Sequence, residues 1–181
     1  MKIILCLFAI ILLPGCNSPA HYKIKPATSV VSRLSKTSKV FVGILPNLKN
    51  APNQSVAMAL AARCRHHFAN VVIGTSSVDE TRIQEDAIQS GADLLFLARV
   101  IFYEDTWSAN PDRFELFVLT INLATKAQAN AGSILITRPW WTLGNYSPSE
   151  FTEVASELYL RYLTGDLTKL EGSTSFKHLP K

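Results

Sequence analysis

Glu104, Asp105, Trp107, Asp112, Arg113 and Glu115 lie close together in the middle of this 181-residue chain and have the side chains of a recognition patch. Carboxylates suit a cation or a sugar, an indole face suits stacking, and a guanidinium grips a carboxylate at two points. Trp140 and Trp141 follow further along. If the strands leading to Glu104 and to Trp140 both run antiparallel to the strand between them, the whole set collects at one end of a sheet. Adjacent strand residues face opposite sides, so at most one of Trp140 and Trp141 faces any one ligand. A structural reading stands beside the binding one: Arg113 pairs with Asp105 or Asp112 across the turn, and the tryptophans cover the core.

Catalysis finds less support. A glycosidase pair needs two carboxyls roughly 5–9.5 Å apart across a cleft. Glu104 and Asp105 are adjacent and diverge, which leaves Glu104, Asp112 and Glu115 with no cleft legible around them. His66 and His67 sit side by side on a helical stretch, whereas zinc sites favour i, i+4 spacing with a further ligand. The sequence has no glycine-rich phosphate loop and no nucleophile elbow. A non-enzymatic protein with no cofactor and no metal is expected.

The elements that must position these residues read as β-α-β-α-β-β-β-α, a mixed α/β sheet in one domain. "KVFVGILP" is a buried strand, and "NAPNQSVAMALAARCRHHFA" a helix with Val56, Leu60, Cys64 and Phe68 on one face. "NVVIGT" is a second strand. "SSVDETRIQEDAIQSG" is a helix with acids at its start and Gly91 at its stop. "ADLLFLARVIFYED" is a continuous apolar run, which predicts a central strand covered on both faces. "RFELFVLTINLATK" and "AGSILITRPWWT" predict an antiparallel pair joined at Lys126–Asn130. Ser147-Pro148-Ser149-Glu150 is a capping box opening the last helix.

The chain begins with Lys2 and an apolar run from Ile3 to Leu13, too short for the ~20 residues that span a bilayer and suited to a secretory leader. Leu13-Pro14-Gly15-Cys16 resembles the bacterial lipobox. The resemblance implies cleavage before Cys16, a diacylglycerol thioether on its sulfur and an acylated amine. Asn17 stands where Asp is the usual inner-membrane retention mark, which favours the outer membrane's inner leaflet, facing the periplasm. The expected division is residues 1–15 as signal peptide, 16–37 as lipidated cysteine and flexible basic tether, 38–164 as the α/β domain, and 165–181 as a polar tail. A tether of about 21 residues, at ~3.3–3.6 Å each, reaches about 70 Å. A short extended piece is placed at Thr28–Val31. Cys64 is the one thiol left after Cys6 and Cys16 are accounted for, so no internal disulfide is expected; its spacing suits packing as a small hydrophobe, with intermolecular pairing or reactivity as the alternative.

Charge divides along the chain. Residues 17–78 hold Lys23, Lys25, Arg33, Lys36, Lys39, Lys49, Arg63 and Arg65 and no acid, whereas residues 79–181 hold nine basic and fourteen acidic residues. The basic segment suits anionic headgroups or peptidoglycan, and equally a solvated tether. Nucleic acid is a poor partner, because no aromatic–basic interleaving is present.

"KVFVGILP", Ala87-Ile88-Gln89-Ser90-Gly91-Ala92-Asp93 and "LLFLARV" together are similar to the amino-terminal domain of TolB. They also resemble the lipoproteins that activate penicillin-binding proteins, and the curli pore lipoprotein shares that core. Tyr103-Glu104-Asp105-Thr106-Trp107, then Pro111-Asp112-Arg113-Phe114-Glu115, resembles a family of Gram-negative lipoproteins of unassigned function. These likenesses imply a lipid-anchored protein that binds or scaffolds an envelope protein partner. Two alternatives are a structural subunit of an outer-membrane secretion or motility complex, and a glycan or small-ligand binder using the Trp/acid patch.

Overall fold

The computed structural model describes residues 20–27, 34–45, 53–74, 79–104, 112–138 and 147–174. Ten elements follow in chain order: β1 (Ala20–Pro26), β2 (Lys39–Ile44), α1 (Asn53–His67), β3 (Asn70–Ile73), α2 (Glu80–Gln89), β4 (Leu94–Glu104), β5 (Asp112–Asn122), β6 (Ala127–Arg138), α3 (Pro148–Thr164) and β7 (Glu171–Thr174). The expected β-α-β-α-β-β-β-α series is present, with one further strand at each end. All seven strands form a single sheet in the order β3-β2-β4-β5-β6-β1-β7. β2 pairs in parallel with β3 and β4, and every other pairing is antiparallel.

The two ends differ from the tether and tail that the sequence suggests. Within the stretch read as tether, β1 lies between β6 and β7, with Ile24 opposite Ile134 and Tyr22 opposite both Ile136 and Gly172. Ala20, Tyr22 and Ile24 are buried while His21, Lys23 and Lys25 are exposed, the period of two that a half-covered strand requires. β7 likewise takes part of the segment read as a polar tail. Its Gly172 lets the Tyr22 ring lie close, since an added Cβ would sit 3.0 Å from the Tyr22 hydroxyl. The domain thus includes residues outside 38–164. Thr28–Val31 and the lipobox lie outside the described residues.

One face of the sheet carries α1 and α3. Val40, Val42, Phe96, Ala98, Phe114, Leu116, Val118, Ile134 and Ile136 pack there against Val56, Leu60, Cys64, Phe151, Val154, Leu158 and Tyr159. Phe114 and Phe151 stack with ring centroids 5.6 Å apart, and Tyr103 meets both edge-on. Among the described elements, the other face is covered at the parallel end, where Ile83 and Ala87 of α2 meet Phe41, Leu95 and Leu97. β4 is therefore buried on both sides over its first half, as its apolar run predicts. Gly43 permits the approach of α2, because a Cβ there would lie 2.5 Å from Cγ2 of Ile83.

Local chemistry sets the helix ends. Asp79 accepts hydrogen bonds from the backbone N–H of Thr81 (2.9 Å) and Arg82 (3.4 Å), capping α2. The capping box of α3 forms as read: the Glu150 carboxylate accepts from the Ser147 N–H at 2.7 Å, and the Ser147 hydroxyl accepts from the Glu150 N–H at 3.3 Å. α3 stops at Gly165, whose φ of 83° is left-handed and costs a residue without Cβ little. The β5–β6 link falls earlier than Lys126–Asn130. Oδ1 of Asn122 accepts from the N–H of Ala124 and Thr125, which turns the chain at once and lets β6 begin at Ala127.

α1 and α3 are joined by charge as well as by packing. Arg63 donates to Glu153 at 2.7 Å, and His67 and Glu157 share a hydrogen bond of 3.1 Å. The His67 and Glu157 side chains are 10% and 6% exposed, so this pair is part of the interior. Burial pushes the Glu157 carboxyl up, but the hydrogen bond and charge of His67, with the charges of Arg63 and Arg161, hold it below its ordinary value. His67 is accounted for by this pairing. Among the described residues no group of three His, Cys, Asp or Glu stands close enough to hold a metal.

Candidate functional site

β4 and β6 both run antiparallel to β5, so Glu104, Arg138 and the start of β5 meet at one end of the sheet. The strand directions are those the sequence predicts. Glu104 stands directly opposite Arg113, and Asp112 opposite Arg138. An irregularity between Val100 and Phe102 leaves Ile101 without a partner in β5 and shifts the alternation of β4 by one residue. Without it, the Glu104 position would share the helix-covered face with Ala98 and Val100. With it, Glu104 is the residue opposite Arg113 in the ladder. Asp105, Trp107, Trp140 and Trp141 lie outside the described residues, so the tryptophan half of the patch has no geometry here.

Glu115 has a definite structural task. Its carboxylate accepts a hydrogen bond from the Ser133 hydroxyl at 2.6 Å and one from the Lys25 ammonium at 3.0 Å. Burial raises its pKa, but those two hydrogen bonds and the Lys25 charge outweigh it and leave the carboxyl below its ordinary value. Glu115 thus ties β5 to β6 and β1.

These residues belong to a larger surface. Beyond the reach of α2, no described element covers the second face of β5, β6 and β1. Cross-strand register sets its side chains in rows. Arg99, Phe117, Ser133 and Lys25 make one row; Glu115, Leu135 and Lys23 the next; Arg113, Thr137 and His21 the last. Arg99, Arg113, Lys23, Lys25 and His21 are exposed, while Phe117 and Leu135 are half-buried. Lys23 lies 3.8 Å from Glu171 of β7. A shallow, open concavity of about 520 Å³ lies over this edge, lined by His21, Lys23, Leu135, Thr137, Glu171 and Ser173. The arrangement is an open, apolar and mainly basic sheet face.

Sequence reasoning named Arg113 and Glu115, placed Lys23 and Lys25 in a basic tether rather than on the sheet, and missed Arg99, Phe117 and Leu135. The signal was present in "DRFELFVLT", where Arg113, Glu115 and Phe117 alternate with the buried Phe114, Leu116 and Val118. Cys64 is fully buried, as its helical spacing implies, and burial pushes its thiol pKa far up, so it is held as an unreactive thiol.

The sequence matches no family model and no curated protein. The fold does have solved counterparts. The chain is similar to the PelC dodecamer from Paraburkholderia phytofirmans, at 14% identity and TM-score 0.61, over 79% of this chain and 96% of that one. A likeness at that identity establishes a shared fold. Lipoprotein GNA1162 from Neisseria meningitidis is 12% identical over 72% of this chain and 99% of its own, with TM-score 0.47. TolB from Acinetobacter baumannii is 14% identical over 80% of this chain and 31% of its own, with TM-score 0.36. At those scores neither adds to the fold assignment.

Proposed function

We propose that this chain is a non-enzymatic envelope lipoprotein, held to the membrane through Cys16, that works as a subunit of a homo-oligomeric assembly. The observation that carries the reading is the match to the PelC dodecamer, which spans nearly the whole of that chain. A domain of the same build that assembles in twelve copies makes self-association the economical use of an uncovered sheet face. Half-buried Phe117 and Leu135 ringed by charge have the composition of a contact surface, with an apolar centre and a polar rim. The leader and Leu13-Pro14-Gly15-Cys16 supply the membrane address, with the periplasmic face of the outer membrane as the destination that Asn17 favours. No described helix is long and apolar enough to cross a membrane. Such an assembly would scaffold an envelope machine, and its further protein partner would meet the assembled form.

The test is native mass measurement of the lipidated chain extracted in mild detergent, alongside Phe117→Glu. A discrete high-order species that Phe117→Glu breaks down supports the reading. A monomer at every concentration would sink it and return weight to a monomeric binder of an envelope protein.

A further inference from the structure

β1 changes where the domain can stand. Only Asn17, Ser18 and Pro19 separate Cys16 from Ala20, the first residue of β1. Four backbone steps span at most about 14 Å, against the ~70 Å that a free tether through residue 37 would allow. Ala20 is no loose end, because it is buried and pairs with Thr174, and His21 pairs with both Ser173 and Thr137. The short link therefore leaves from a fixed corner of a rigid sheet.

That corner is the end of the sheet where β1 starts, β5 starts at Asp112, and β6 ends at Arg138. The opposite end holds the β5–β6 turn at Ala124 and Thr125. From Arg113 to Asn122 the strand climbs nine residues, about 30 Å at ~3.3 Å each. One end of the long axis is tied close to the lipid, and the other lies a full strand length away.

We propose that the chain stands end-on on a lipid surface, with the His21–Thr137–Arg113 end of the sheet against the headgroups and the Ala124 turn pointing away. This rests on the lipid-anchored reading of Cys16. Contact follows from the length of the link rather than from attraction of charge: Arg113 and His21 are exposed at that end, but so is Glu150. The orientation leaves the sides of the domain, including the open sheet face, free to meet neighbours. A cyclic assembly built from such chains carries all its anchors on one rim.

The experiment uses the full lipidated chain in vesicles of phosphatidylethanolamine and phosphatidylglycerol. Ser173→Cys and Ala124→Cys each place a fluorophore at an exposed site at opposite ends. Cys64 is buried and stays unlabelled in the folded protein. Energy transfer to a headgroup-linked acceptor is expected to be strong from Ser173→Cys and largely lost from Ala124→Cys. Raising the salt concentration leaves both unchanged, because screening acts on charge and not on chain length. Equal transfer from the two positions, in protein that still floats with the vesicles, overturns the orientation alone. Such equality would mean the domain lies flat on its basic face. Failure to float, matched by Cys16→Ser, overturns the lipid anchor and the orientation with it.

Discussion

Ile24→Ala separates a strand from a tether at the start of the chain. Ile24 is 2% exposed and lies opposite Ile134 in the core beneath α3. Truncation removes three carbon groups, worth roughly 2.4 kcal/mol at ~0.8 kcal/mol each. A cavity that collapses only in part raises the cost to about 3 kcal/mol, inside the ~2–5 kcal/mol measured for buried aliphatic-to-alanine changes. With a urea dependence of about 2 kcal/mol per molar, the unfolding midpoint falls by about 1.5 M at unchanged slope. The control is Met58→Ala on α1, where a side chain 57% exposed predicts a change within ~0.5 kcal/mol. If residues 20–26 were a solvated tether, the two variants would behave alike. An Ile24→Ala midpoint within error of the parent refutes the placement of β1, and with it the short anchor link.

His67→Ala leaves the buried Glu157 carboxylate without its hydrogen-bonded partner and is expected to cost about 2–3 kcal/mol. Adding Glu157→Gln to that variant should recover part of the loss by removing the unmatched charge, and thermal unfolding that shows no recovery argues against the pair. Acid stability follows from Glu115 and Glu157, both held below the ordinary 4.5 in the folded state. Their contribution is fully present above the unfolded value and is lost as pH falls through the lower folded values. Urea midpoints should decline below pH 4.5, less steeply for Glu115→Gln with Glu157→Gln; a parent that keeps its midpoint well below that pH refutes the assignment.

Where the signals were local and strong, the sequence was read correctly. The capping box at Ser147–Glu150 needs four residues and no knowledge of the fold. The apolar run of β4 announces a strand covered on both faces whatever its neighbours are. What escaped depends on partners. "AHYKIKP" alternates as cleanly as any strand in the chain, yet Pro19 precedes it and Pro26 ends it, and seven isolated residues cannot outweigh two prolines. Their backbone donors and acceptors are satisfied only because β6 and β7 flank them, more than a hundred residues away. β7, with Glu171-Gly172-Ser173-Thr174, has no periodic signal at all and becomes a strand because β1 offers it an edge. The shift at Ile101 is equally invisible, since a single unpartnered residue alters no composition and yet decides which face Glu104 and Arg113 share.

These omissions are connected, and the connection alters the functional picture more than the fold. Seven residues moved from tether to sheet bring the first fixed residue from about 70 Å to about 14 Å from a lipid on Cys16. A protein on a long tether can search the periplasm for a partner across the wall. One held within a strand's length of the bilayer meets only what lies beside it. In the proposed end-on orientation its open face, roofed by none of the described helices, would look sideways along the membrane. On the proposed lipid-anchored reading, that is where further copies of the same chain, held by the same short link, would be most concentrated.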